Sequence, residues 1–182
     1  MRSARLSVLL LGSVLASGCL VVSLHPVYDD RFIVFDPVLI GSWQEVDGET
    51  TVAFERAEWR SYHVTVRSSR ELARLSGRLT TVGNLTLLDV TPVDGVDVDP
   101  MLLPVHGIYR LTRESPDALA LADLDYEQLF GLARLLPAPD GLVVDSRRNV
   151  VITHPTRALR TWIEAAEPTG RLFGEPTAFE RK

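Results

Sequence analysis

Residues able to do chemistry are scattered along this chain. The four histidines, His25, His63, His106 and His154, stand far apart, and none has the spacing that puts two imidazoles on one helix face for a zinc ion. Each reads as a single hydrogen-bonded side chain; His106, beside Gly107 in an alternating stretch, reads as a packed or cavity-lining imidazole. The segment DVTPVDGVDVDP gathers Asp89, Asp94, Asp97 and Asp99. These are the hard oxygens that calcium prefers, but the fixed spacing and the distal glutamate of a calcium loop are missing. It reads as a solvated acidic hairpin loop. Ser61, Ser76 and Ser146 lack the Gly-x-Ser-x-Gly elbow that presents a nucleophile, and none of the 24 Asp and Glu side chains sits in an acid–base motif. The expectation is a protein that is not an enzyme and needs no cofactor or metal.

One cysteine remains, and its surroundings assign it a role. Arg2 and Arg5 form a positive head, Leu6 to Leu15 an apolar core of ten residues, and Ala16-Ser17-Gly18 a small-residue tail. These are the three regions of an export signal. A bilayer span needs about 20 apolar residues, so the run reads as a cleaved signal over residues 1–18.

Ala16-Ser17-Gly18-Cys19 resembles the bacterial lipobox, in which a diacylglyceryl group is joined to the thiol before cleavage leaves the cysteine as the first residue. The resemblance implies a lipidated, palmitate-bearing Cys19 and membrane lipid as a partner. One acyl chain holds a protein marginally, whereas the three of a mature lipoprotein hold it firmly. Leu20 follows where an aspartate would mark retention. That pattern is similar to Gram-negative lipoproteins forwarded to the outer membrane, and it implies a protein facing the periplasm. No second cysteine exists for an internal disulfide.

The elements that must carry the rest follow from charge and period. Removing Arg2 and Arg5 leaves 17 of the 19 basic side chains against 24 acidic ones. Such a balance argues against a nucleic-acid partner and against adhesion to anionic lipid heads. Residues 19–31 read as lipid anchor and short tether, and residues 32–182 as a single β-rich domain. TVAFER puts Val52 and Phe54 on one face, and WRSYHVTVR puts Trp59, Ser61, His63 and Thr65 opposite Arg60, Tyr62, Val64 and Val66, the period of two of a half-buried strand. Similar patterns run through GSWQEV, ARLSGRLTTV, NLTLLDVT, PVHGIYRLTR, ALALADL, GLVVDS, NVVIT and TAFERK, with turns at Asp47-Gly48, Gly83-Asn84, Asp94-Gly95 and Asp140-Gly141.

Two helices interrupt these strands. Asp125 and Gln128 suit a capping box before YEQLFGLARLL, with Leu124 and Leu129 as a hydrophobic staple. PTRALRTWIEAAE has Thr153 or Thr156 as its candidate cap. About eight to ten short strands with two amphipathic helices suggest an antiparallel barrel, since closure removes exposed edges; a β-sandwich is the alternative.

The stretch SLHPVYDDRFIVFDPVLIGSWQEV, with NLTLLDVTP, LPVHGIYRL and VVITHPTRALRTWI, resembles a group of uncharacterised bacterial lipoproteins. The resemblance implies a shared fold and location and no established activity. Gly41-Ser42-Trp43 is also similar to the GxW opening of lipocalin-type barrels, in which the glycine permits a tight entry to the first strand and the tryptophan plugs one barrel end. The resemblance implies a basic partner from the last strand, here Arg181. Two functions then compete: a barrel interior holding a small apolar ligand, or an interaction protein docking onto envelope proteins. Small inward side chains would leave a cavity; crowded large ones would fill it.

Overall fold

The computed structural model describes residues 20–69, 71–93, 104–135, 137 and 139–182. Residues 1–18, Cys19, Asp94, Asp97 and Asp99 lie outside the described residues. The chain begins with β1 (Val21–Ser23) and β2 (Ile33–Val34), then runs through β3 (Gly41–Glu45), β4 (Thr51–Arg56) and β5 (Ser61–Arg67). The long β6 (Leu72–Val82) and β7 (Leu85–Pro92) follow, then β8 (Gly107–Ser115) and β9 (Ala118–Asp123). An excursion over α1 (Tyr126–Ala133), β10 (Leu142–Val144), β11 (Val150–Ile152) and α2 (Thr156–Ala166) precedes the closing β12 (Thr177–Arg181).

From β3 to β9 each strand pairs antiparallel with the next, and β12 enters between β9 and β3. The ring of eight strands is therefore closed, a lipocalin-like barrel rather than the two stacked sheets of a sandwich. Closure sets Arg181 opposite Trp43 in register. Where β5 leaves β6, β2 takes its place, pairing Ile33 with Thr80 and Val34 with Leu79.

Alternation along the wall divides the apolar residues into two cores. Val52, Phe54, Tyr62, Val64, Leu88 and Val90 point into the barrel. Leu85 and Leu87 point outward, where α1, α2 and the three-stranded sheet β1-β11-β10 cover them. Leu129 of α1 and Leu159 and Ile163 of α2 are buried in that outer core. Arg160 of α2 pins the layers together. Its guanidinium donates to Val27 O (2.8 Å), Thr80 Oγ1 (3.1 Å) and Thr81 O (2.6 Å), and lies 4.5 Å from the Phe32 ring centroid.

Two local expectations change. Residues 20–31 are no free tether: Leu20 N donates to Asn149 Oδ1 and Leu20 O accepts from Val150 N, Val21–Ser23 pair parallel with β11, and Val27 is fully buried. The N-cap position of helix α2 is Pro155, with no side-chain cap hydrogen bond, so neither Thr153 nor Thr156 caps it. Helix α1 is capped as its sequence indicates, with the Asp125 carboxylate accepting from Gln128 N at 2.9 Å. The reciprocal half of the box is absent because Asp125 N donates to Leu172 O.

Candidate functional site

The barrel has a packed floor and an open mouth. The segment preceding β3 crosses beneath the floor as a 3-10 turn over Pro37–Leu39, capped by Asp36, whose carboxylate accepts from Val38 N at 3.0 Å. Trp43 follows it into the interior, fully buried, and its indole Nε1 donates to Leu39 O at 2.8 Å. Arg181 closes over this ring from the last strand, its guanidinium carbon 4.4 Å from the ring centroid. Its nitrogens donate to Ile40 O (3.1 Å), Val38 O (2.5 Å), Pro116 O (3.2 Å) and Asp117 Oδ1 (3.0 Å). Gly41 is required beside it: at φ +138°, a Cβ there would stand 2.7 Å from Arg181 Nη1.

Tyr62 completes the floor. Its hydroxyl accepts from Asp36 N (2.7 Å) and donates to Asp36 O (3.1 Å), while its ring stacks on Phe35 at 5.1 Å and meets Phe54 edge-on at 6.0 Å. Burial pushes this hydroxyl's pKa up to about 12, the bond from the Asp36 backbone opposing the rise and the Asp36 charge adding to it.

At the other end the same strands leave space. Val52, Val64, Val66, Leu75, Leu88 and Val90 form one wall of a cavity of about 340 Å³. Leu121 and Phe179 face them, and Tyr109, Glu45, Thr50, Asp123 and Thr177 complete the lining toward the rim. None of the residues lining it is Lys, Arg or His. Tyr109 and Asp123 are direct partners in the β8–β9 register. Among the described residues neither the Tyr109 hydroxyl nor the Asp123 carboxylate has a hydrogen-bond or ion-pair partner. Burial raises the Tyr109 pKa, and the nearby Asp123 charge raises it further, so the phenol stays neutral at ordinary pH.

One histidine and one aspartate of the candidates, His106 and Asp89, form a clasp on the barrel's outer side. Asp89 is no part of a solvated loop: it is 2% exposed on an outward position of β7, with His106 Nδ1 2.7 Å from one oxygen and Val27 N donating to the other at 2.7 Å. Tyr28 packs edge-on to His106 and carries Arg78 4.8 Å from its ring centroid. Ser23 bridges to His106 through the backbone, so Ser, His and Asp meet here. The serine hydroxyl, however, is buried and donates to His25 O at 2.7 Å, closing its own turn. The cluster ties the SLHPVY segment to the barrel wall; it holds no available nucleophile. His154 packs against Trp162 and His63 is exposed on β5, and among the described residues no three His, Cys, Asp or Glu side chains are placed to hold a metal ion.

A second hollow of about 500 Å³ lies between the helices, lined by Leu129 and Leu132 of α1, Trp162 and Ala166 of α2, and Leu172. Among the described residues no helix is long and apolar enough to cross a membrane. No protein-family model, no curated protein and no solved structure matches the chain, so its chemistry is read from its own geometry.

Proposed function

We propose that this chain is a non-enzymatic, lipid-anchored protein of the bacterial envelope whose barrel holds one small apolar molecule in its open mouth. The observation that carries this reading is the unfilled apolar cup of about 340 Å³ above a solidly packed floor. Ligand sites are commonly apolar hollows of about 300 to 1,000 Å³ with a few polar groups at one side. The cup has both features at the small end of that range.

The anchoring part rests on the export signal ending at Cys19 and on the resemblance to bacterial lipoproteins. Leu20 is hydrogen-bonded into the fold, so an acyl group on Cys19 would hold the domain against the outer-membrane surface with almost no slack. Palmitate labelling followed by membrane fractionation tests this. Labelled wild type in the membrane fraction and unlabelled Cys19→Ala is the expected result; unlabelled soluble wild type contradicts it.

Calorimetric titration of the full chain in phosphatidylcholine nanodiscs with n-hexanol tests the binding. One molecule should bind per chain, and Val66→Trp, which fills the cup, should abolish the heat. Unchanged binding in that variant would place the ligand elsewhere. A second reading, docking onto another envelope protein, is favoured by the hollow between α1 and α2, in whose lining Leu132 is 39% exposed. A stoichiometric partner released by Leu132→Asp, with hexanol binding absent, would support it instead.

A further inference from the structure

We infer that the mouth selects ligands with a positively charged or amine head and an apolar body; this rests on the binding reading above and names the chemical class that reading leaves open. The interior walls are valine, leucine and Phe179 and offer no polar partner to a ligand's body. Polarity enters only toward the rim, and the charges there are of one sign: Glu45 and Asp123 are the charged residues of the lining.

The two carboxylates are not equivalent. Glu45 accepts from Thr50 N at 3.1 Å and is occupied in holding the β3–β4 turn. Asp123 is exposed and unpaired among the described residues, and its register partner across β8–β9 is Tyr109, whose hydroxyl is also without a partner. A carboxylate accepts hydrogen bonds and cannot donate them, whereas a phenol does both. An ammonium offers three donors and no acceptor. Set between Asp123 and Tyr109, it would satisfy both groups and place its charge beside the Asp123 carboxylate while the alkyl body lies against Val66 and Leu75. A carboxylate head would meet Asp123 and Glu45 as like charges, the repulsion that excludes wrong ligands. A neutral alcohol should fall between.

Three probes of one chain length separate the cases: hexylamine, n-hexanol and hexanoate, titrated calorimetrically into the full chain in phosphatidylcholine nanodiscs, with empty nanodiscs as reference. Hexylamine should bind about five- to tenfold more tightly than hexanol, and hexanoate more weakly than either, the order expected of a close charge pair at a partly screened surface. Raising the salt from 20 mM to 500 mM should shrink the amine's advantage, because exposed charges are screened beyond roughly a Debye length. Asp123→Asn should bring amine and alcohol to equal affinity, and Asp123→Lys should invert the order in favour of hexanoate. Both substitutions are at an exposed position, and an unchanged far-ultraviolet circular dichroism spectrum and denaturant midpoint serve as the control for folding. Tyr109→Phe should weaken hexylamine about threefold, because the ammonium loses one acceptor. Hexanol binding with no preference for the amine, or a preference that survives Asp123→Asn, overturns the inference while the binding reading stands. Absence of binding by all three probes overturns both.

Discussion

Four strands of the barrel carry a bulkier or more tightly bonded group toward the floor and a smaller or polar one toward the mouth. Strand β3 offers Trp43 below and Glu45 above, β4 Phe54 and Val52, β5 Tyr62 and Val66, and β12 Arg181 and Thr177. Trp43, Phe54 and Tyr62 are less than 2% exposed, whereas Val52, Val66 and Leu75 line an unfilled space. A close-packed interior loses stability with every void. The gradient concentrates packing and hydrogen bonds where they close the barrel and leaves the other end underfilled, which is the arrangement of a cup and costs least stability if the floor carries the load.

Substitutions at the two ends should therefore differ most. Trp43→Ala removes the largest buried ring and should cost about 3 to 5 kcal/mol in denaturant unfolding. Arg181→Ala strands the carbonyls of Val38 and Ile40 and uncovers the indole, a loss of about 2 to 3 kcal/mol. Arg181→Lys keeps the charge without the flat face and should lose less. In a double-mutant cycle with Trp43→Phe the two changes should fail to add by about 0.5 kcal/mol or more, because the guanidinium lies over the indole ring. Additive behaviour would break the view of the floor as one unit.

Gly41→Ala should cost about 1 to 2 kcal/mol, since an L side chain at φ +138° is strained and its Cβ meets Arg181. At the mouth, Val66→Ala should change stability by less than about 1 kcal/mol, because this half-buried side chain already borders empty space. Equal losses at Val66 and Trp43 would erase the comparison.

The floor also predicts a pH signature. Tyr62 holds its proton up to about pH 12 when folded, whereas an unfolded tyrosine releases it near pH 10. Between those values the native state binds more protons than the unfolded one, so stability is fully present below about pH 10 and falls as pH rises toward 12. Tyr62→Phe should be less stable at neutral pH and should flatten that fall. An unchanged slope in the variant would remove Tyr62 as its source.

How much of this was readable in sequence depended on whether the signal was local. Ten alternating segments gave β3 to β12, because a wall with two different faces imposes period two. Strands β1 and β2, of three and two residues, are too short to show a period; the apolar Val21, Val22 and Val27 were the only hint that the lead into the domain is built into it. A chain begun at residue 24 would lose β1 and its pairing with β11. Asp89 misled because its neighbours in sequence are acidic, while its surroundings are set by position: with Leu85 and Leu87 outward, residue 89 must face the outer core as well. The pairing of Gly41, Trp43 and Arg181 at one rim was foreseeable from a closed meander, whose first and last strands must meet. The cavity was not. Its volume depends on which inward residues of eight strands share a level, and that is set by register across the whole ring.

Methyl NMR of the full chain in nanodiscs, titrated with n-hexanol, tests the cup most directly, because floor and mouth then report side by side in one sample. Methyl signals of Val52, Val66, Leu75 and Leu121 should shift and saturate at one molecule per chain, while those of Leu39 and Leu79 in the floor stay fixed. Mouth methyls that do not move, or shifts confined to Leu129 and Leu132 between the helices, would contradict the account.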